Sequence, residues 1–206
     1  WQQLGNGLDG WVNSLGHYGG KLVAGGGIPH PTDPFSSLLA EWNGQVWRKF
    51  SQQQWLGGEV NSIQTVGDSL FAIGPFKLAA HVEVNGIARW NGSSWSDLDG
   101  GCPFGVISDL TAYNEQLIVS GQFDYIGNEF ANNVAGWNGT SWFPLGEGVN
   151  GPAISVNQAG HQLIASGNFS IAGSHPSYRL ASWGPVNCDC NNNGINDFDE
   201  PGFGDC

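Results

Sequence analysis

One pattern returns four times along the chain, at intervals of 46 to 48 residues: Ala40-Glu41-Trp42-Asn43-Gly44, Ala88-Arg89-Trp90-Asn91-Gly92, Ala135-Gly136-Trp137-Asn138-Gly139 and Ala181-Ser182-Trp183-Gly184. The first three are each followed by a second Trp five positions after the first, at Trp47, Trp95 and Trp142. A period of this length means one supersecondary unit repeated, and such a unit buries its apolar face only by stacking on its neighbours.

Within each unit an apolar stretch precedes the motif, as in Ser69-Leu70-Phe71-Ala72-Ile73-Gly74 and Gln116-Leu117-Ile118-Val119-Ser120-Gly121. Upstream of that lie alternating segments such as Val106-Ile107-Ser108-Asp109-Leu110, whose period of two is that of a strand. Asn-Gly between the paired Trp residues signals a hairpin, because both residues tolerate positive φ. Each unit therefore reads as four short strands, the blade of a β-propeller. The 33 Gly and the 12% charged content agree with a turn-rich all-β chain and argue against helices, where Gly is penalised.

The phase of the repeat predicts how the chain closes. Trp1-Gln2-Gln3-Leu4-Gly5 matches Trp142-Phe143-Pro144-Leu145-Gly146, so the sequence starts on a fourth strand, while the last unit leaves the pattern after Trp183. The expectation is a four-bladed β-propeller over residues 1–187, with residues 1–4 completing the last blade. The alternative hands this strand to a neighbouring molecule, which makes a ring or fibre of chains. The absence of Met and the start at Trp1 lead us to expect a mature or excised segment, and Asp205-Cys206, which repeats Asp189-Cys190, leads us to expect the Cys-rich tail to continue past residue 206.

These units resemble the secreted bacterial β-propeller repeats of the form IAxWNGxxWxxLGxG, and more distantly kelch and galactose-oxidase-type propellers. The resemblance implies the fold; it does not imply an activity, since propellers host enzymes, lectins and scaffolds.

At residues 188–206 the composition changes. Counted from Asp189, oxygen-bearing side chains fall at positions 1, 3, 5, 9 and 12 and Gly194 at 6, the spacing of a calcium loop. Asp189, Asn191, Asn193, Asp197 and Glu200 are the side-chain ligands expected, with Ile195 giving its backbone carbonyl. Pro185 and Pro201-Gly202 exclude long flanking helices, and the segment resembles thrombospondin type 3 and dockerin-like calcium repeats. Three of the four Cys lie here, and with Cys102 they read as oxidised cysteines of a secreted, extracellular or cell-surface protein. Four Cys allow three pairings; the favoured one joins Cys190 to Cys206 and Cys102 to Cys188. Zinc fits less well, because Cys-x-Cys lacks the usual ligand spacing.

His30, His81 and His175 each fall between the second and third strands of a unit and are expected on one rim. With an acid such as Asp33 or Glu83 they form the candidate site of an alternative, polysaccharide-binding or polysaccharide-degrading function. Trp11 and Trp55, outside the paired positions, extend that candidate rim. Sequons at Asn91, Asn138 and Asn168 are candidate glycosylation points. The balance of 18 acidic against 6 basic residues, a net charge of −12, argues against nucleic acid and anionic membrane surfaces. No apolar run is long enough to cross a membrane. The reading is a non-catalytic, calcium-stabilised extracellular module that binds protein, including copies of itself, or carbohydrate, and that could build a surface fibre or lattice.

Overall fold

The computed structural model describes residues 1–30, 33–50 and 55–184, and every regular element among them is a β-strand. Three units form four-stranded antiparallel sheets whose strands are ordered as they occur in the chain. The first comprises Trp11–Tyr18, Lys21–Gly27, Ala40–Trp42 and Trp47–Lys49; the second Ser62–Val66, Ser69–Ile73, Ile87–Trp90 and Trp95–Ser96. The third comprises Val106–Tyr113, Gln116–Gln122, Val134–Trp137 and Trp142–Pro144. Among the described residues the fourth sheet has three strands, Ala153–Ala159, Gln162–Gly167 and Leu180–Trp183.

The motif sets the outer hairpin of each complete sheet. Trp42 pairs with Trp47, Trp90 with Trp95 and Trp137 with Trp142, directly opposite in register, with ring centroids 5.5, 5.6 and 5.1 Å apart. Tilted aromatic pairs at this separation add to their burial. The turn between them is closed by the Asn side chain: Asn138 Oδ1 accepts the backbone N–H groups of Thr140 and Ser141, and Asn43 and Asn91 do the same in their units. Gly139 follows at φ 103°, which an L side chain rarely adopts.

The Gly that ends each apolar strand has a different cause. A bulge in the neighbouring strand brings the Val106 carbonyl to 2.0 Å from where a Cβ on Gly121 would stand, and Gly26 and Gly167 face the same obstacle. Only Gly admits so close an approach of the backbone.

The sheets pack in series, first on second, second on third, third on fourth. Apolar cores lie between consecutive sheets: Phe71, Ile73 and Leu98 meet Ile107, Leu110 and Trp137, and Ile118 and Val134 meet Val156 and Leu163. Each such buried side chain contributes roughly 1.5–3 kcal/mol relative to exposure. A recurrent hydrogen bond ties neighbours together. Ile63 N–H donates to Ser14 Oγ, and Val156 N–H donates to Asp109 Oδ2 at the same place two interfaces further on.

Three features differ from the sequence expectation. Residues 1–4 form no strand; Trp1 is fully exposed, and the fourth sheet ends on Leu180–Trp183. The segment is instead drawn toward the first sheet, where Gly5 packs against the Trp42 ring, as Gly146 does against Trp183. No comparable contact joins the first sheet to the fourth among the described residues, so the result is an all-β fold of several antiparallel sheets with two uncovered ends. Finally, the hairpins between second and third strands do not all stand alone. Those of the first two units are joined through Trp55–Leu56 into a five-stranded sheet, because the extra residues after Trp47–Lys49 supply a linking strand.

Candidate functional site

The histidines of the candidate rim sit in three of these hairpins. His30 ends the strand Pro29–His30; His81 occupies the turn between Leu78–Ala79 and Val82–Glu83; His175 opens His175–Pro176. His81 is exposed, its ring edge-on to Trp55 at 6.0 Å, and His175 is exposed beside Ser174. The described residues contain no group of three His, Cys, Asp or Glu side chains placed to hold a metal ion. Trp11 opens the first strand and donates its indole N–H to Glu59 Oε1 at 2.7 Å, a link between the first two units. The calcium-loop residues Asp189, Asn191, Asn193, Ile195, Asp197 and Glu200, with Cys188, Cys190 and Cys206, lie outside the described residues.

Cys102 is buried and is a free thiol among the described residues. Burial pushes its pKa up to about 11, partly offset by the Gly105 backbone N–H. Its N–H donates to the Asn85 carbonyl as that of Val149 does to Asn132, so Cys102 stands where the next unit has a buried Val. Tyr18 is also raised above the usual phenol value, by burial first and the Asp68 charge second.

The most distinctive feature of the surface lies at the open fourth sheet. In the third sheet Trp142 is 2% exposed: it stacks against Trp137, rests on Gly127, and donates its indole N–H to the Leu98 carbonyl at 2.8 Å. One repeat later the counterparts of Trp137, Gly127 and Leu98 are Trp183, Gly173 and Leu145. The equivalence is carried by the backbone, since Gly127 N–H donates to Gly101 and Gly173 N–H to Gly148. These three residues line a cavity of about 200 Å³, walled also by Val134, Val149 and Leu163. The seat is built, largely apolar, and opens where a fourth strand belongs. Trp183 is 42% exposed there, against 6% for Trp137. The second uncovered surface is on the first sheet, where Leu15 is 59% exposed although its counterparts Ile63, Leu110 and Val156 are all buried.

From the sequence alone this seat was not visible, although its signal was present: a unit with the first Trp of the pair and without the second. Only the register shows which atoms receive the missing ring.

No family model and no curated protein matches the sequence. Among solved structures, the computationally designed Ika4 protein superposes with a TM-score of 0.50 at 11% identity, over 89% of this chain and 98% of that one. The computationally designed Ika8 protein superposes with a TM-score of 0.54 at 12% identity, over 89% of this chain and 49% of that one, so this chain spans about half its length. Identities this low show likeness of fold alone.

Proposed function

We propose that the chain is a non-catalytic extracellular assembly module, a four-bladed β-propeller in which residues 1–4 are the strand that the fourth blade lacks. The observation that carries the reading is the contrast in burial between equivalent positions: Leu15 and Trp183 are exposed at the two ends, while their counterparts in the interior of the series are in the core. Uncovered apolar sheet faces with an unpaired edge are surfaces for association.

Calcium belongs to the same reading. Asp189, Asp197 and Glu200 place carboxylates at loop positions 1, 9 and 12, where a hard divalent cation neutralises them and stabilises the folded state by linkage. A disulfide between Cys190 and Cys206 would hold the tail in a secreted setting. The expected outcome in sedimentation velocity is a mass above 21.9 kDa that grows with concentration, with a melting temperature that rises on adding calcium and falls on chelation. A mass that stays at 21.9 kDa at every concentration overturns assembly, and indifference to calcium and chelator overturns the loop.

A further inference from the structure

The cavity at the fourth sheet has the shape of a missing side chain, and the repeat names it. In the third unit the seat is filled by the Trp that opens the outer strand, Trp142. The residue in the same phase that has no seat of its own is Trp1: Trp1-Gln2-Gln3-Leu4-Gly5 matches Trp142-Phe143-Pro144-Leu145-Gly146, and Trp1 is fully exposed. The residues after it already occupy their repeat position, Gly5 lying on Trp42 as Gly146 lies on Trp183. The segment is thus held at Gly5 against the first sheet, while residues 1–4 are exposed.

We propose that Trp1 of one copy seats in the cavity beside Trp183 of a second copy, with residues 2–4 adding antiparallel to Leu180–Trp183 as the fourth strand. The inference rests on the assembly reading and specifies its partner and its contact. The indole N–H then finds the Leu145 carbonyl, as Trp142 finds that of Leu98, and the added strand satisfies an open edge by backbone pairing.

The rest of the contact continues an interface that the chain already makes three times. The face of the first sheet bearing Leu15 is equivalent to those bearing Ile63, Leu110 and Val156, each of which packs on the preceding sheet. In the second copy that preceding sheet is the fourth. Leu15 N–H would face Ser155 Oγ, the place that Ser14 Oγ takes toward Ile63 N–H. A second copy is favoured over the chain's own fourth sheet because the first and fourth sheets stand at opposite ends of the series and share no comparable contact among the described residues. The contact is head-to-tail, so the copies form a closed ring or a filament according to the rotation between them.

The test uses the full chain with its calcium. Trp1→Ala removes an exposed side chain, so the variant keeps its fold by circular dichroism, and it is expected to associate about a hundredfold more weakly, the loss typical of a central aromatic anchor. The peptide Trp-Gln-Gln-Leu-Gly, added in excess, is expected to dissociate the native assembly and to protect the amides of Leu180–Trp183 from hydrogen exchange. Assembly of Trp1→Ala at native strength overturns strand exchange while leaving assembly standing. A native chain that stays monomeric with those amides protected overturns the second copy in favour of closure within one chain. A native monomer with the amides unprotected overturns this inference and the assembly reading together.

Discussion

The third and fourth sheets are built from the same pattern and end in different states. Val134–Trp137 is buried throughout, whereas Leu180–Trp183, which pairs with its apolar neighbour strand in the same register, is exposed or half-exposed along its length. The local hydrogen bonds are equal in the two; what differs is the outer strand and the next sheet. A repeat unit therefore specifies its own backbone and leaves its burial to whatever lies beside it. In the interior of the series that neighbour is in the same chain, and at the two ends no described residue supplies one.

The largest effect expected from this contrast is at the paired Trp residues. Trp137→Ala empties a 6%-exposed site and removes the ring on which Trp142 stacks, so about 3–5 kcal/mol of stability is expected to go. Trp183→Ala, measured by urea unfolding at concentrations where the chain is monomeric, should cost about 1 kcal/mol, because the side chain is already partly in water. Equal losses would mean that the fourth sheet is covered within one chain. Repeating Trp183→Ala where the chain assembles sharpens the point, since the two positions should then converge.

Cys102 tests the boundary between the second and third units in the same way. Its thiol is raised to about 11 by burial, so the folded state holds the proton that the unfolded chain gives up near the ordinary thiol value. The unfolded state then binds fewer protons, and stability contributed by the neutral thiol is full below that ordinary value and falls as pH rises from it through about 11. Urea unfolding across that window should show the decline, and Cys102→Val should remove it. Because Val149 fills the equivalent site, the same substitution should cost less than about 1.5 kcal/mol. A loss of about 2–5 kcal/mol on Cys102→Val would instead mark a disulfide to the tail.

The parts of the molecule legible in the sequence are those determined within a few residues. Asn43, Asn91 and Asn138 close their turns with their own side chains, and the paired Trp residues face each other because the turn between them fixes the register. The five-stranded sheet was not legible: four of its five strands, Trp55–Leu56 among them, are two residues long, too short to show a period, and the sheet pairs between units. The strand expected at residues 1–4 is not formed within the described chain, for a related reason. Its pairing needs an edge that no local pattern supplies. Cys102 was read by its chemistry as half of a disulfide with Cys188, which lies outside the described residues; what the chemistry did not show is that the register puts Cys102 at a core position shared with Val149. The seat itself depends on which carbonyl lies under Trp142, a relation across 44 residues.

The smallest expected effect concerns how neighbouring sheets are joined at their turns. Tyr113 donates its hydroxyl to the His161 carbonyl at 2.6 Å, and Tyr18 reaches the Asp68 carbonyl at 3.1 Å, each from one sheet to the next. Tyr113→Phe should cost about 1 kcal/mol and Tyr18→Phe about half that, since Tyr113 is buried and Tyr18 only partly so, with urea unfolding as the readout. The same position carries Val66 in the second sheet and Ala159 in the fourth, neither of which has a hydroxyl. The second sheet nevertheless packs on the third, with Val66 against their shared core. Ala159 is therefore compatible with a following sheet. If Tyr113→Phe instead separated the third sheet from the fourth, the bond would be indispensable, and the fourth sheet could not hold a neighbour in the way the second does.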